Sequence, residues 1–153
     1  SQMSTNTVFD FELESTGGKT FRLADYRGKK LIIYFYPKDD TPGCTIESQQ
    51  FGLHYEQFKM LNCEIVGISR DSIKSHENFR EKLSIPFDLL SDSSQTICNR
   101  FEVMKLKNTY GKQVSGIERS TFVIDEQGKL VKEWRGVKVP GHVDEVLSFI
   151  KTL

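Results

Sequence analysis

The sequence predicts an α/β domain, a mixed central β-sheet flanked by helices on both faces and opened by an N-terminal β-hairpin. Three observations predict it. Strand-like and helix-like segments alternate in the order ββ, βα, βα, βα, ββ, α. Residues 31–36 (Leu-Ile-Ile-Tyr-Phe-Tyr) form an unbroken apolar and aromatic run, the mark of a strand covered on both faces. Later segments carry apolar residues at helical spacing, as Val143, Val146, Leu147 and Ile150 do.

The elements follow in order. Residues 8–13 place Phe9, Phe11 and Leu13 on one face at period two, an amphipathic strand. Gly17-Gly18 turns the chain, and residues 20–23 return as the partner strand. Pro37 ends the apolar run, because proline has no N–H to give a central ladder. Residues 38–43 form a polar loop closing on Thr41-Pro42-Gly43. Phe51, Tyr55 and Phe58 then recur at helical spacing, which predicts one helix over 42–61. Residues 64–69 read as a strand. Asp71 and Ser72 are N-cap candidates for a helix reaching Leu83, with Pro86 just beyond it. Residues 87–90 are a short strand. Asp92, with Gln95 three residues on, predicts a capping box opening a helix that carries Ile97 and Phe101. Strands at 120–124 and 130–135 flank a turn at 125–128, and the last helix follows. Parallel crossovers bring strand ends and helix starts to one edge of such a sheet, where sites form. Residues 37–44 lie there.

Composition bounds the function. The 153 residues are expected to form one domain over 4–153, with Ser1 and Gln2 extraneous to a natural start at Met3. Lys plus Arg and Asp plus Glu number 21 each, so nucleic acid and anionic membrane surfaces are not expected as partners. No apolar run approaches the length of a membrane span. The cysteines, Cys44, Cys63 and Cys98, are odd in number and widely spaced, which is not a disulfide framework. No secretory leader opens the chain, so a reducing, cytoplasmic compartment is expected. His54, His76 and His142 are too scattered for a metal site, and no Cys-x-x-Cys or glycine-rich nucleotide fingerprint is present. No cofactor or metal is expected.

The chemistry concentrates in Pro37-Lys38-Asp39-Asp40-Thr41-Pro42-Gly43-Cys44. Pro42 presets a helical first turn and Cys44 sits within it, where unpaired N–H groups favour a thiolate. The helix dipole contributes only about 0.3–1 kcal/mol, less than one unit from a thiol reference of about 8.5. A cation and direct hydrogen bonds must supply the rest. Thr41 stands three residues before Cys44, as an N-cap, as a hydroxyl beside the sulfur, or as both.

Pro37, Thr41 and Cys44 at this spacing resemble the peroxidatic signature of the peroxiredoxins. The longer run from Tyr34 through Cys44 to Glu47 resembles the bacterioferritin comigratory protein (PrxQ) subfamily. So do Gly67-Ile68-Ser69-Arg70-Asp71-Ser72, Phe87-Asp88-Leu89-Leu90-Ser91-Asp92, Arg119-Ser120-Thr121-Phe122-Val123-Ile124-Asp125 and Gly141-His142. The resemblance implies a thioredoxin-like fold and reduction of hydrogen peroxide and organic hydroperoxides at cysteine. It implies Cys44 as nucleophile, Thr41 as the hydroxyl bonding the peroxide, and Pro37 as a cover over the site. Arg119 is implied as the cation beside Cys44, with Thr41, Gly43 and Arg119 forming the substrate-binding set. Glu47 also matches; it can fix a basic side chain or serve as a first-turn acid. Thioredoxin, glutaredoxin or a small thiol is implied as reductant, and a monomer or weak dimer as the assembly.

The sequence departs from that pattern at the resolving cysteine. Many members carry one five residues after the first, where this chain has Gln49; others carry it in the next helix, and residues 73–83 hold none. Cys98 and Cys63 are the remaining candidates. Cys63 opens a strand and Cys98 sits beside Ile97 on a helix, both ordinary core placements, so a one-cysteine cycle is preferred. Two other readings compete: a one-cysteine thiol–disulfide oxidoreductase of glutaredoxin type, and a non-enzymatic redox sensor on the same fold. Following hydroperoxide loss with dithiothreitol separates them.

Overall fold

The computed structural model describes residues 6–153, so Ser1, Gln2 and Met3 lie outside the described residues. The elements are β1 (Glu12–Ser15), β2 (Lys19–Arg22), β3 (Lys30–Phe35), α1 (Pro42–Leu53), α2 (Tyr55–Met60), β4 (Cys63–Ser69) and α3 (Ile73–Leu83). They continue with β5 (Asp88–Ser91), α4 (Thr96–Arg100), β6 (Met104–Thr109), β7 (Lys112–Ile117), β8 (Ser120–Ile124), β9 (Leu130–Arg135) and α5 (His142–Ile150). Seven strands form one sheet in the order β2-β1-β5-β4-β3-β8-β9. β3, β4 and β5 are parallel, and the outer strands join antiparallel. The expected mixed sheet with an N-terminal hairpin is therefore present.

The unbroken apolar run of β3 has a direct cause. Alternation sends Leu31, Ile33 and Phe35 into a core with Phe101 and Phe122 on one face. Ile32, Tyr34 and Tyr36 enter a second core with Phe51, Phe58 and Val146 on the other. Both faces are dry, so no position in the run can be polar. The Tyr34 hydroxyl meets Ser48 Oγ at 2.8 Å, tying β3 to α1. Gly67 on β4 makes room for that ring: a Cβ there would lie 2.8 Å from Tyr34 Cζ and 3.0 Å from Leu89 Cδ2.

Several boundaries differ from expectation. Residues 8–11 form no regular strand: the Asp10 carboxylate accepts the N–H groups of Phe11 and Ala24, while the Val8 N–H bonds the Gly128 carbonyl and the Phe11 carbonyl accepts from Leu23. Phe9, Phe11 and Leu13 nevertheless pack against one core as predicted. The helix expected over 42–61 breaks at His54, whose Nδ1 lies 2.9 Å from the Gln50 carbonyl oxygen. The break follows Gly52, a weak helix former pressed against Pro86, and lets Tyr55 and Phe58 turn into the core. Ser72 caps α3 as predicted, accepting from the Ser75 N–H at 3.1 Å. The capping box does not form. Gln95 is left-handed, and Asp92 caps α4 by accepting from the N–H groups of Ile97 and Cys98, while Ser94 Oγ accepts from the Thr96 N–H.

The β6–β7 hairpin is new to the structure. It turns at Tyr110-Gly111, both left-handed, and leaves Leu106, Tyr110 and Val114 exposed. Only its base, Met104 and Ile117, meets the core, and the rest, exposed on both faces, carries no apolar alternation to read.

Gly67→Ala should destabilise the protein by about 1–3 kcal/mol through overpacking against Tyr34 and Leu89. Urea unfolding checks this, and an unchanged midpoint would show that the Tyr34 ring moves freely.

Candidate active site

β3 runs into the loop of residues 36–41, and α1 begins directly behind it. Thr41 occupies the N-cap position in extended conformation (φ −102°, ψ 154°), with Pro42 at the helix start. No side chain caps this terminus. The Thr41 hydroxyl instead donates to the Lys38 carbonyl at 2.7 Å, leaving its oxygen open as an acceptor. Cys44 is 1% exposed in the first turn.

Arg119 reaches this turn because β8 pairs with β3. Phe35 is opposite Ser120, so the residue ahead of Ser120 stands at the edge where β3 ends. Arg119 Nη2 donates to Cys44 Sγ at 3.5 Å, and Nη1 donates to Glu47 Oε1 at 2.7 Å. Cys44 and Glu47 are three residues apart on α1 and so share one face, which lets one planar guanidinium bridge both. Gly43 permits the approach, since a Cβ there would sit 3.1 Å from Arg119 Nη2. Pro37 is half-buried after β3.

The electrostatics of this cluster are severe. Glu47 is fully buried, and its Oε2 has no hydrogen-bond partner. Burial pushes its carboxyl up to about 7, against the opposing pull of Arg119. Burial opposes the charge on Arg119 too, but Glu47 and Cys44 more than offset it and hold the guanidinium proton more firmly than usual.

A second polar cluster anchors the loop. Asp39 accepts from the Tyr36 hydroxyl at 2.6 Å and from Ser75 Oγ at 2.8 Å, and its Oδ2 meets His76 Nδ1 at 2.7 Å. Burial alone would raise the Asp39 carboxyl; His76, Tyr36 and Ser75 outweigh it and hold it below the usual carboxylate range. The Asp39 N–H donates to Asp71 Oδ2 at 2.9 Å. Asp39, Asp71 and His76 form the one group with metal-ligand proximity among the described residues. Sequence reasoning missed this cluster, treating His76 as scattered. The signal was present, for His76 and Phe79 lie on the buried face of α3. His142 opens α5 behind left-handed Gly141 and bonds Thr121 Oγ1 at 2.8 Å, a structural placement.

Neither candidate resolving cysteine is brought to Cys44. Cys63 pairs with Lys30 at the start of β4, about 16 Å along the sheet from the end of β3 that leads to Cys44. Cys98 belongs to the core on the opposite face of the sheet from Cys44. Burial pushes the Cys63 thiol up to about 12 and, joined by Asp92, raises the Cys98 thiol as well.

Comparison with known proteins finds relatives over most of the chain. The sequence profile of the AhpC/TSA family matches residues 5–133. Peroxiredoxin Bcp of Bacillus subtilis (strain 168) is 49% identical over 144 residues, spanning 94% of this chain and 92% of that protein. Peroxiredoxin Bcp of Escherichia coli (strain K12) is 35% identical over 141 residues, spanning 92% of this chain and 90% of that protein. Among solved structures, Xanthomonas campestris peroxiredoxin Q superposes with a TM-score of 0.90 at 45% identity, covering 96% of this chain and 98% of that one. The bacterioferritin comigratory protein of the same organism, studied for its alkyl peroxide reduction activity, gives a TM-score of 0.89 at 47% identity, covering 93% and 90%.

The Glu47 geometry sets a pH dependence. With a folded value about 7 against an ordinary 4.5, the folded protein keeps a proton that the unfolded chain releases between those pH values. Stability therefore falls as pH rises through that window, by on the order of 3 kcal/mol from this group. Glu47→Gln should remove that part of the fall, as urea midpoints at pH 4.5 and 8 would report. Equal slopes in the two proteins would contradict the assignment.

Proposed function

This chain belongs to the AhpC/TSA family and is a thiol-dependent peroxidase on a thioredoxin-like fold, and from that premise we propose that Cys44 is its peroxidatic nucleophile. The observation that carries the assignment is the 3.5 Å contact from Arg119 Nη2 to Cys44 Sγ, the cation that the helix dipole alone could not replace.

The proposed chemistry follows from the donors and acceptors around the sulfur. The hydroperoxide O–H donates to Thr41 Oγ1, whose own proton is committed to the Lys38 carbonyl. The Cys44 thiolate attacks the terminal peroxide oxygen, forming an S–O bond as the O–O bond breaks. Sulfur loses two electrons to the departing alkoxide or hydroxide, which takes up a proton and leaves as alcohol or water. Arg119 stabilises the charge that develops on the leaving oxygen. Gly43 leaves space for the guanidinium, and Pro37 covers the loop side of the site. An external thiolate then attacks the sulfenic sulfur and expels water after protonation. A second thiol resolves the mixed disulfide and returns the Cys44 thiolate.

Hydrogen peroxide and organic hydroperoxides are the proposed substrates, the latter supported by the alkyl peroxide reduction of the Xanthomonas relative. The reductant is thioredoxin, glutaredoxin or a small thiol, and the cycle uses one cysteine. Burial of Cys63 and Cys98 away from Cys44 supports that reading. Cys44, Thr41, Arg119 and Glu47 all come from one chain, which fits action as a monomer or weak dimer. Unpaired cysteines fit a cytoplasmic setting. No helix among the described residues is long and apolar enough to cross a membrane.

Cys44→Ser should abolish hydroperoxide consumption with dithiothreitol, whereas Cys63→Ser and Cys98→Ser retain most of it. Arg119→Met should slow sulfenic acid formation by about 10²-fold. Turnover above background in Cys44→Ser would overturn the assignment.

Wild type should also inactivate progressively in excess peroxide, because a sulfenate with no thiol nearby is open to a second oxidation to sulfinic acid. Mass spectrometry after graded peroxide reads this. Accumulation of a disulfide from Cys44 to Cys63 or Cys98 would contradict the one-cysteine cycle.

A further inference from the structure

Cys44 is 1% exposed, yet its sulfur must meet a peroxide and then a thiol. Something must hold the site closed for the first reaction and let it open for the second. We propose that Asp39 and His76 are positioning residues that act as a latch, closed for the peroxide step and released for the thiol step. The proposal rests on Cys44 being the nucleophile.

Hydrogen-bonding geometry fixes the nature of the pair. His76 Nε2 lies 2.9 Å from the Leu90 carbonyl oxygen, which can only accept, so Nε2 carries a hydrogen. Nδ1 lies 2.7 Å from Asp39 Oδ2, too close for two lone pairs, so a second proton sits between them. Oδ2 also accepts from Ser75 Oγ, and Oδ1 accepts from Tyr36. The His76 side chain is 0% exposed and that of Asp39 3%. Ion pairs this deep seldom outperform packed apolar residues as a source of stability, because each ion loses its hydration. The pair therefore calls for a reason beyond stability.

Its position supplies one. Asp39 lies in the loop between β3 and α1, whereas Ser75 and His76 belong to α3. The peptide unit joining Lys38 to Asp39 is held from both sides. Its N–H donates to Asp71 Oδ2, and its carbonyl accepts the Thr41 hydroxyl. Movement of Asp39 therefore turns the group that orients Thr41. The start of α1 has no side-chain cap of its own, so this loop anchor does the work that a cap would do for the Cys44 turn. Closing the latch aims Thr41 and buries the sulfur. Releasing it frees the turn and exposes the sulfur to a thiol.

Loss of the latch should move the two half-reactions in opposite directions, which a general loss of stability cannot do. Single-turnover mixing of reduced protein with hydrogen peroxide measures the first step. Mixing the sulfenate form with dithiothreitol measures the second. In Asp39→Asn we expect the peroxide step to slow by about tenfold or more, as small misplacements of reacting groups do, while the dithiothreitol step accelerates. The double variant Asp39→Ala/His76→Leu leaves neither partner buried alone and should show the same split while remaining folded. Unchanged rates, or a parallel fall in both steps, would overturn the latch. A Cys44→Ser control separates the two claims. If that control still consumes peroxide, the nucleophile assignment fails and the latch with it. If it is inactive while the Asp39 variants match wild type, the latch alone fails.

Discussion

One guanidinium, held between a sulfur and a carboxylate, is the constraint on which the site depends. Arg119 can bridge Cys44 and Glu47 only because both lie on one face of α1 and because β8 ends opposite the exit of β3. The helix dipole makes the first turn receptive to negative charge, but by a fraction of what a reactive thiolate requires. The guanidinium is the cation placed against the sulfur, with Nη2 3.5 Å from Sγ. Its orientation is fixed by a carboxylate with one oxygen paired and one unsatisfied. Glu47 thus stands where burial is expensive, and Arg119 bears on both its charge and that of the sulfur. Such a local conflict is expected at a functional site and is balanced elsewhere by the two apolar cores.

Much of this was legible in the sequence where one physical rule dominated. The run at 31–36 could only be a strand covered on both faces, and Ser72 could cap α3 because its spacing to the helix was right. Pro42 and Cys44 placed a thiol in a helix first turn. Legibility failed where side chains competed with backbone patterns. Asp10 takes the Phe11 N–H that the strand at 8–13 was expected to use, and Asp92 caps α4 without Gln95. The β6–β7 hairpin was invisible because only its base, Met104 and Ile117, is covered. At the site, Arg119 would read as a surface charge without the family resemblance, since only strand pairing carries it to Cys44. Asp39 hid among charged neighbours in a polar loop, although His76 faces inward on α3.

The three cysteines are all buried but stand in different environments. Cys63 and Cys98 have the burial of Cys44 but none of its partners, and their thiols are raised accordingly. Cys44 alone combines an uncapped helix start, a cationic neighbour and a hydroxyl acceptor three residues away. The same enclosure that orders these groups restricts access to the sulfur, so the loop between β3 and α1 carries both demands.

A double-mutant cycle on sulfenic acid formation tests the central claim most directly, with wild type, Glu47→Gln, Arg119→Met and the double variant compared in single-turnover mixing. If Glu47 acts through Arg119, the double variant should react within about twofold of Arg119→Met alone, because the carboxylate has nothing left to orient. Losses that multiply independently would show that the two residues do not form one unit, and would contradict the account.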